Sequence, residues 1–124
     1  MAEYSPPPAK PSGPGRVFHA LVWSIKGLVA AFRHERSFRS EVLLLLLLAP
    51  LAIWLADSRL TLALMLASLL LVLIVELLNS ALEALVDLSC PQHHPLAGRA
   101  KDIGSAAVFL SLINVLLVWG LLLL

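Results

Sequence analysis

Five polar residues interrupt a long apolar stretch of the sequence at spacings that place them on one face of a helix. This polar stripe consists of Glu76, Asn79, Ser80, Glu83 and Asp87. Measured from Glu76 at 100° per residue, its members fall at about 0°, 300°, 40°, 340° and 20°. A carboxylate near the bilayer centre costs roughly 2.5–3.5 kcal/mol on insertion scales, so such residues are retained mainly for function. The polar stripe therefore predicts a functional site; an amphipathic helix with a water-facing side is the plain alternative.

The residue types on and around the polar stripe suit the transfer of a phosphoryl group. Glu35, Glu83 and Asp87 offer the hard oxygen ligands that Mg²⁺ takes alongside substrate phosphates. Lys101 and the basic residues near the N-terminus can neutralise phosphate charge. Glu76 can accept a proton from a hydroxyl group that approaches within the membrane. These parts favour phosphoryl transfer, and a transporter or ion pathway built on intramembrane carboxylates explains them equally well at this point.

The composition and the placement of charges predict an integral membrane protein. Of the 124 residues, 60% are hydrophobic and 14% are charged, against about 45–50% and 25% in soluble domains. No charged residue occurs in the segments 42–56, 60–75 and 103–124. The single cysteine, Cys90, excludes an intramolecular disulfide. A nucleic-acid partner is not expected, because anionic lipid lies beside the arginines of a membrane protein.

The pattern predicts an all-α membrane fold, in which an N-terminal amphipathic surface helix precedes three transmembrane helices. Residues 1–15 are rich in proline and poor in apolar side chains, so we expect a disordered tail. Residues 16–36 combine an apolar and a basic face, which is typical of an interfacial helix. The whole of 16–124 is expected to form one domain. Its transmembrane helices are predicted at about residues 37–56, 60–88 and 98–124, with a loop at 89–97.

Charge asymmetry predicts the orientation of these helices in the membrane. Beyond the tail, seven basic residues fall on one side of the predicted spans, whereas Arg59 alone falls on the other. By the positive-inside rule, the N-terminus and the loop at 89–97 face the cytoplasm. The C-terminus then lies on the opposite side of the membrane. Trp54 and Trp119 fall near the far ends of their helices, where an aromatic belt is expected.

The same topology assigns depths to the carboxylates of the polar stripe. If the second span enters the hydrocarbon near Leu60, about 20 residues bring it to the cytoplasmic edge. Glu76 is then just inside the hydrocarbon, whereas Glu83 and Asp87 lie in the headgroup zone. This separation suits a reaction between a lipid headgroup and a water-soluble partner.

Two runs of sequence carry a resemblance to a known family. The first is the polar stripe with its neighbours, ELLNSALEALVD over residues 76–87, and the second is GRAKDIGSAAV over 98–108, with His94 between them. Both resemble the prokaryotic integral-membrane diacylglycerol kinases. The resemblance continues without a gap back to Arg16 and leaves out only the proline-rich tail.

The resemblance implies an ATP-dependent kinase that makes phosphatidic acid from diacylglycerol as a homotrimer with shared active sites. It implies that Glu76 is the general base, and that Glu35 and Glu83 bind the Mg²⁺ that bridges the ATP phosphates. The residues that match nucleotide-site positions are Arg16, Trp23, Glu35, Glu83, His94, Lys101 and Asp102. Those that match lipid-site positions are Arg16, Ser24, Phe38, Arg39, Glu41, Trp54, Glu76, Asn79 and Ser105.

Two alternatives to a diacylglycerol kinase remain at the level of sequence. An undecaprenol kinase would share the fold and the mechanism and would differ in its polyprenol acceptor. A carboxylate-based transporter belongs to another class and would release no ADP in step with lipid phosphorylation. The sequence near Asn79 and Ser80 and near Gly104 and Ser105 looks more like the diacylglycerol type.

Overall fold

The computed structural model describes residues 8–9 and 12–124, and over these residues every regular element is an α-helix. The elements, in chain order, are α1 (Gly15–His34), α2 (Arg36–Leu55), α3 (Arg59–Ser89) and α4 (Pro95–Leu123). All four are long and apolar enough to cross a membrane, and α1 is the least apolar of them. The expected all-α fold is therefore confirmed, whereas length and composition alone do not set α1 apart as a surface helix. The disordered tail expected over 1–15 falls largely outside the described residues.

Local capping explains where α3 and α4 begin. At the start of α3, the hydroxyl of Ser58 accepts a hydrogen bond from the backbone N–H of Thr61 at 3.1 Å. At the start of α4, Nδ1 of His94 accepts one from the N–H of Leu96 at 3.0 Å. The predicted start of this helix at Gly98 is wrong by three residues, because Pro95 suits the first helical position, where no N–H is needed. The predicted loop is correspondingly shorter.

The chain divides into two compact units, Met1–Ala30 and Ala31–Leu124. Within the second unit, α3 packs against both α2 and α4. A small apolar core forms where the three helices meet, around Leu69, Val72 and Val115. Most other aliphatic side chains of α2, α3 and α4 are exposed on the surface of the chain. Such a surface suits hydrocarbon, since lipid tails are as apolar as leucine.

The indole of Trp119 links α4 to α3. Its Nε1 donates to the carbonyl oxygen of Met65 at 3.3 Å and to Oγ of Ser68 at 3.2 Å. Trp54, in contrast, is 80% exposed at the far end of α2. A half-buried indole N–H needs an acceptor, and α3 supplies two for Trp119. The aromatic belt itself stays a prediction.

Candidate active site

The polar stripe runs along α3 from a buried end to an exposed end. Glu76 is only 4% exposed and Ser80 is 7% exposed. Asn79 and Glu83 are half-buried, and Asp87, about three turns beyond Glu76, is exposed. The plain alternative of a water-facing helix therefore fails at the Glu76 end. The carboxylates of the polar stripe instead become more exposed along α3, from the buried Glu76 to the exposed Asp87.

Asn79 connects the polar stripe to α4. Its Nδ2 donates to Oε1 of Glu83 at 3.3 Å, one turn further along α3. Its Oδ1 is buried, has no hydrogen-bond partner in the part of the chain that the structure describes, and lies close to Gly104. A Cβ added at Gly104 would lie 3.3 Å from Cγ of Asn79 and closer still to Oδ1, which is tighter than real Cβ contacts. The missing side chain at Gly104 therefore makes room for the amide that contacts Glu83.

Carboxylates from two helices and the hinge between α1 and α2 gather around Glu76. Those of Glu35, Glu41 and Glu83 lie within electrostatic range of the Glu76 carboxylate. No three His, Cys, Asp or Glu side chains converge as a ready metal cage anywhere in the described part of the chain. Mg²⁺, however, is ordinarily held by one or two carboxylates together with substrate phosphates. The hard oxygen donors gathered here therefore fit that ion, without forming a complete site by themselves.

Glu41 lies at one end of an apolar groove in the second unit. The groove has a volume of about 260 Å³, and its other lining residues are all aliphatic. Oε2 of Glu41 is buried and has no hydrogen-bond partner among the described residues. An unpaired buried carboxylate oxygen is costly, so this atom calls for a donor from a ligand or a second chain. A lipid that carries a hydroxyl group above an aliphatic tail has the matching chemistry.

A second, more polar cleft of about 310 Å³ lies between the end of α3 and the start of α4. Asp87, Cys90, His94 and Lys101 are among its lining residues. Nζ of Lys101 forms a salt bridge of 2.5 Å with Oδ1 of Asp87, and both side chains are well exposed. Two of the residues predicted for a nucleotide, His94 and Lys101, are thus brought to one cleft. His94 also has a structural role there, as the N-cap of α4.

Several predicted residues lie elsewhere. Arg16, Trp23 and Ser24 belong to the first unit, where the rings of Trp23 and His19 lie tilted against each other with centroids 5.9 Å apart. The remaining positions are dispersed over the second unit: Phe38 is buried, Arg39 is bonded to the end of α1, Trp54 is exposed at the far end of α2, and Asp102 and Ser105 are exposed on α4.

The comparison with known proteins identifies the family of this chain. A family model described as prokaryotic diacylglycerol kinase matches residues 22–123. The chain belongs to the prokaryotic diacylglycerol kinase family. A diacylglycerol kinase of Pseudomonas aeruginosa is 49% identical over 121 residues, covering 97% of this chain and 98% of the relative. The enzyme from Haemophilus influenzae is 43% identical over 111 residues (90% and 94%), and that from Escherichia coli K12 is 45% identical over 108 (87% and 88%).

Membership of this kinase family confirms the enzyme class predicted from the sequence, and a transporter is no longer a competing interpretation. Two features of the site were nevertheless missed. Gly104 appeared only as part of the family motif, and no pattern indicated that its missing side chain accommodates Asn79. Asp87 had no partner until the structure paired it with Lys101. A spacing of 14 residues across a loop carries no periodic signal that would reveal such a pair.

Proposed function

We propose that this kinase transfers the γ-phosphoryl group of ATP to diacylglycerol, yielding phosphatidic acid at the cytoplasmic face of the inner membrane. The single observation that carries the proposal is the burial of Glu76, which is 4% exposed on a largely apolar helix and lies within electrostatic range of three other carboxylates. A buried carboxylate within a membrane helix is a functional residue by default. The names of the three relatives supply the substrate, and the groove and cleft described above are consistent with it.

The acceptor side of the reaction is supported by the apolar groove that ends at Glu41. Its aliphatic lining suits an acyl chain, and the unpaired Oε2 suits a hydroxyl donor. Resemblance to the family adds further residues to the proposed lipid site: Arg16, Ser24, Phe38, Arg39, Trp54, Asn79 and Ser105.

The donor side is supported by the polar cleft between α3 and α4. Lys101 brings a positive charge to the cleft, which suits a nucleotide phosphate, and His94 lies in the same lining. The resemblance adds Arg16, Trp23 and Asp102 to the proposed nucleotide site.

Glu35 and Glu83 are the proposed ligands of Mg²⁺. Glu35 is the N-cap residue of α2, yet its side chain makes no capping hydrogen bond. Glu83 receives one hydrogen bond from Asn79, through Oε1. When bound together with ATP, the metal ion would neutralise charge on the phosphates.

The proposed chemistry is a direct transfer between the two substrates. The diacylglycerol hydroxyl oxygen forms a bond to the γ-phosphorus, and the bond from that phosphorus to the β,γ-bridging oxygen breaks, so that ADP leaves. Glu76 accepts the hydroxyl proton; it lies buried within electrostatic range of Glu41, which lines the proposed acceptor groove. Lys101 would stabilise negative charge on the nucleotide.

The length of α3 supports the proposed place of the site in the membrane. Its 31 residues span roughly 46 Å, whereas the hydrocarbon core is about 30 Å thick. One end must therefore project, and the acidic end of the polar stripe is the one that water can solvate. We accordingly propose that α2, α3 and α4 span the membrane, with the N-terminus and the α3–α4 loop cytoplasmic and the C-terminus opposite.

We further propose that α1 lies in the headgroup plane and that the enzyme is a homotrimer. The basic and apolar faces of α1 favour the interface over a span. Three spanning helices leave Asn79 and Glu83 only half-buried, so neighbouring chains would complete the enclosure of the polar stripe.

The test of this function is phosphorylation by purified protein in mixed micelles with Mg-ATP and either diacylglycerol or undecaprenol. We expect labelled phosphatidic acid from the first lipid, and Glu76→Gln should lower turnover by at least about 10²-fold with ATP binding intact, as for loss of a general base. Asp57→Asn, in the exposed α2–α3 turn, is the matched control and should be unaffected. Phosphorylation of undecaprenol alone would identify a polyprenol kinase, and normal turnover of the Glu76 variant would refute the assigned base.

A further inference from the structure

Glu35 is the single residue between two helices, since α1 ends at His34 and α2 begins at Arg36. Its backbone is extended, with φ −109° and ψ 107°. Its N–H donates to the carbonyl of Ala31 at 2.8 Å and so closes α1, while its own carbonyl accepts from the N–H of Arg39 at 3.2 Å and so opens α2. The position of the Glu35 carboxylate therefore depends on this one-residue hinge.

The guanidinium of Arg39 reaches back across the hinge to the end of α1. Its Nη1 donates to the carbonyl of Phe32 at 2.9 Å and to that of Arg33 at 3.0 Å. Carbonyls in the last turn of a helix lack partners within the helix, and a positive charge is favourable at that end of the helix dipole. With Ala31 bonded to Glu35, three of these four carbonyls are satisfied by residues at or just beyond the hinge.

Arg39 is consequently bonded to both sides of Glu35. Its backbone N–H bonds the carbonyl of Glu35 itself, and its side chain bonds the two carbonyls that precede His34. All of these contacts lie within the second unit of the chain. A side chain that brackets a hinge in this way restricts the backbone angles that the hinge residue can adopt.

We propose that Arg39 is a positioning residue, which fixes the Glu35 hinge and thereby holds the Glu35 carboxylate where it meets the metal–nucleotide complex. The inference rests on the metal role proposed above for Glu35. It differs from the lipid contact that resemblance implies for Arg39, because the donor atom Nη1 is directed to backbone carbonyls. It also differs from a purely structural role, because its consequence is a change in metal affinity.

The first measurement is metal binding without turnover. Mn²⁺ replaces Mg²⁺ as the probe, and its dissociation constant is measured by electron paramagnetic resonance with a non-hydrolysable ATP analogue present. Arg39→Met keeps the length of the side chain and removes its donors. Residues that hold a metal ligand in place typically contribute about 10–100-fold to metal affinity, so we expect the Mn²⁺ dissociation constant to rise about 10-fold. Arg36→Met is the matched control, since Arg36 is an exposed neighbour with no side-chain hydrogen bond to any described residue.

The second measurement reads the hinge itself, by hydrogen–deuterium exchange without metal or nucleotide. Exchange at the backbone N–H of Glu35 should be faster in Arg39→Met than in wild type or Arg36→Met. In the kinase assay, the half-saturating Mg²⁺ concentration should rise more in Arg39→Met than in Arg36→Met. Arg39→Lys, which retains the charge without the planar fork, should shift metal affinity in the same direction by less.

Combining Arg39→Met with Glu35→Gln separates this proposal from the metal assignment on which it rests. If Arg39 acts through Glu35, the double variant should bind Mn²⁺ no more weakly than Glu35→Gln alone. Three results would each overturn the role of Arg39. They are additive losses of Mn²⁺ affinity in the double variant, a raised diacylglycerol KM with unchanged Mn²⁺ affinity in Arg39→Met, and unaltered exchange at Glu35. Normal Mn²⁺ affinity in Glu35→Gln would instead refute the metal role of Glu35, and the exchange measurement would still report whether Arg39 holds the hinge.

Discussion

Gly104→Ala tests whether the close approach of α4 to Asn79 positions Glu83. The new Cβ would lie 3.3 Å from Cγ of Asn79, closer to its Oδ1, and 3.6 Å from Cδ2 of Leu82. Asn79 must move, because the glycine backbone on the other side is fixed within α4. That movement would break the 3.3 Å hydrogen bond from Nδ2 of Asn79 to Oε1 of Glu83.

Stability and activity should respond differently to this substitution. Replacing a helical glycine by alanine raises the free energy of unfolding by about 0.5–1 kcal/mol, whereas overpacking lowers it by about 1–3 kcal/mol. The free energy of unfolding should therefore fall by between zero and about 2.5 kcal/mol. Activity should fall at least 10-fold, since the partner of a proposed metal ligand is displaced. The loss of activity is thus expected to exceed what the change in stability alone would produce.

The assay compares Gly104→Ala with Gly120→Ala on the same helix. A Cβ at Gly120 meets nothing within 4 Å, so this control should keep wild-type activity. Unfolding in detergent micelles gives the stability of each variant, and the micellar kinase assay gives turnover. Asn79→Ala added to Gly104→Ala should recover stability, because the clash is gone, without recovering activity. Full activity of Gly104→Ala would show that Glu83 does not depend on the amide of Asn79.

Two further substitutions test contacts that only the structure revealed. Asp87→Ala removes the partner of Lys101, and because both side chains are exposed, the free energy of unfolding should change by less than about 1 kcal/mol. The KM for ATP should rise several-fold, and an unchanged KM would show that Asp87 does not hold Lys101 at the nucleotide cleft. Trp119→Phe removes the indole donor to Met65 and Ser68 and should lower the free energy of unfolding in micelles by about 0.6–1.7 kcal/mol. Turnover at 25 °C should stay unchanged, and a large loss of turnover would connect this contact to the active site.

The sequence was a good guide to the helices, because their signals are local. The uncharged segments predicted the apolar helices, and the predicted 60–88 helix differs by one residue at each end from α3, Arg59–Ser89. The start of α4 was missed, although Pro95 is a recognised signal for the first helical turn. The predicted loop at 89–97 includes both Pro91 and Pro95. The capping of Leu96 by His94 shows that Pro95 belongs to the helix.

The candidate site, like the helices, could be predicted from the sequence only in part. The polar stripe was predictable because a helix converts spacing along the chain directly into a shared face. For Glu76 the sequence predicted only a depth just inside the hydrocarbon, whereas its burial within the chain is a finding of the structure. The gathering of Glu35 and Glu41 near Glu76 was implied by resemblance to the family, since nothing in the spacing of residues 35, 41 and 76 indicates it.

The sequence by itself thus determined the helical fold, the polar face of α3 and membership of a kinase family. Only the tertiary structure decided how these parts are held together: Gly104 against Asn79, Lys101 with Asp87, and Trp119 on Met65. The tertiary structure also decided that the side chain of Arg39 bonds the carbonyls at the end of α1. The physical reason is that helix formation and amphipathicity depend on neighbours within a few residues, whereas each of these contacts depends on how two helices, or the two sides of a hinge, pack against each other.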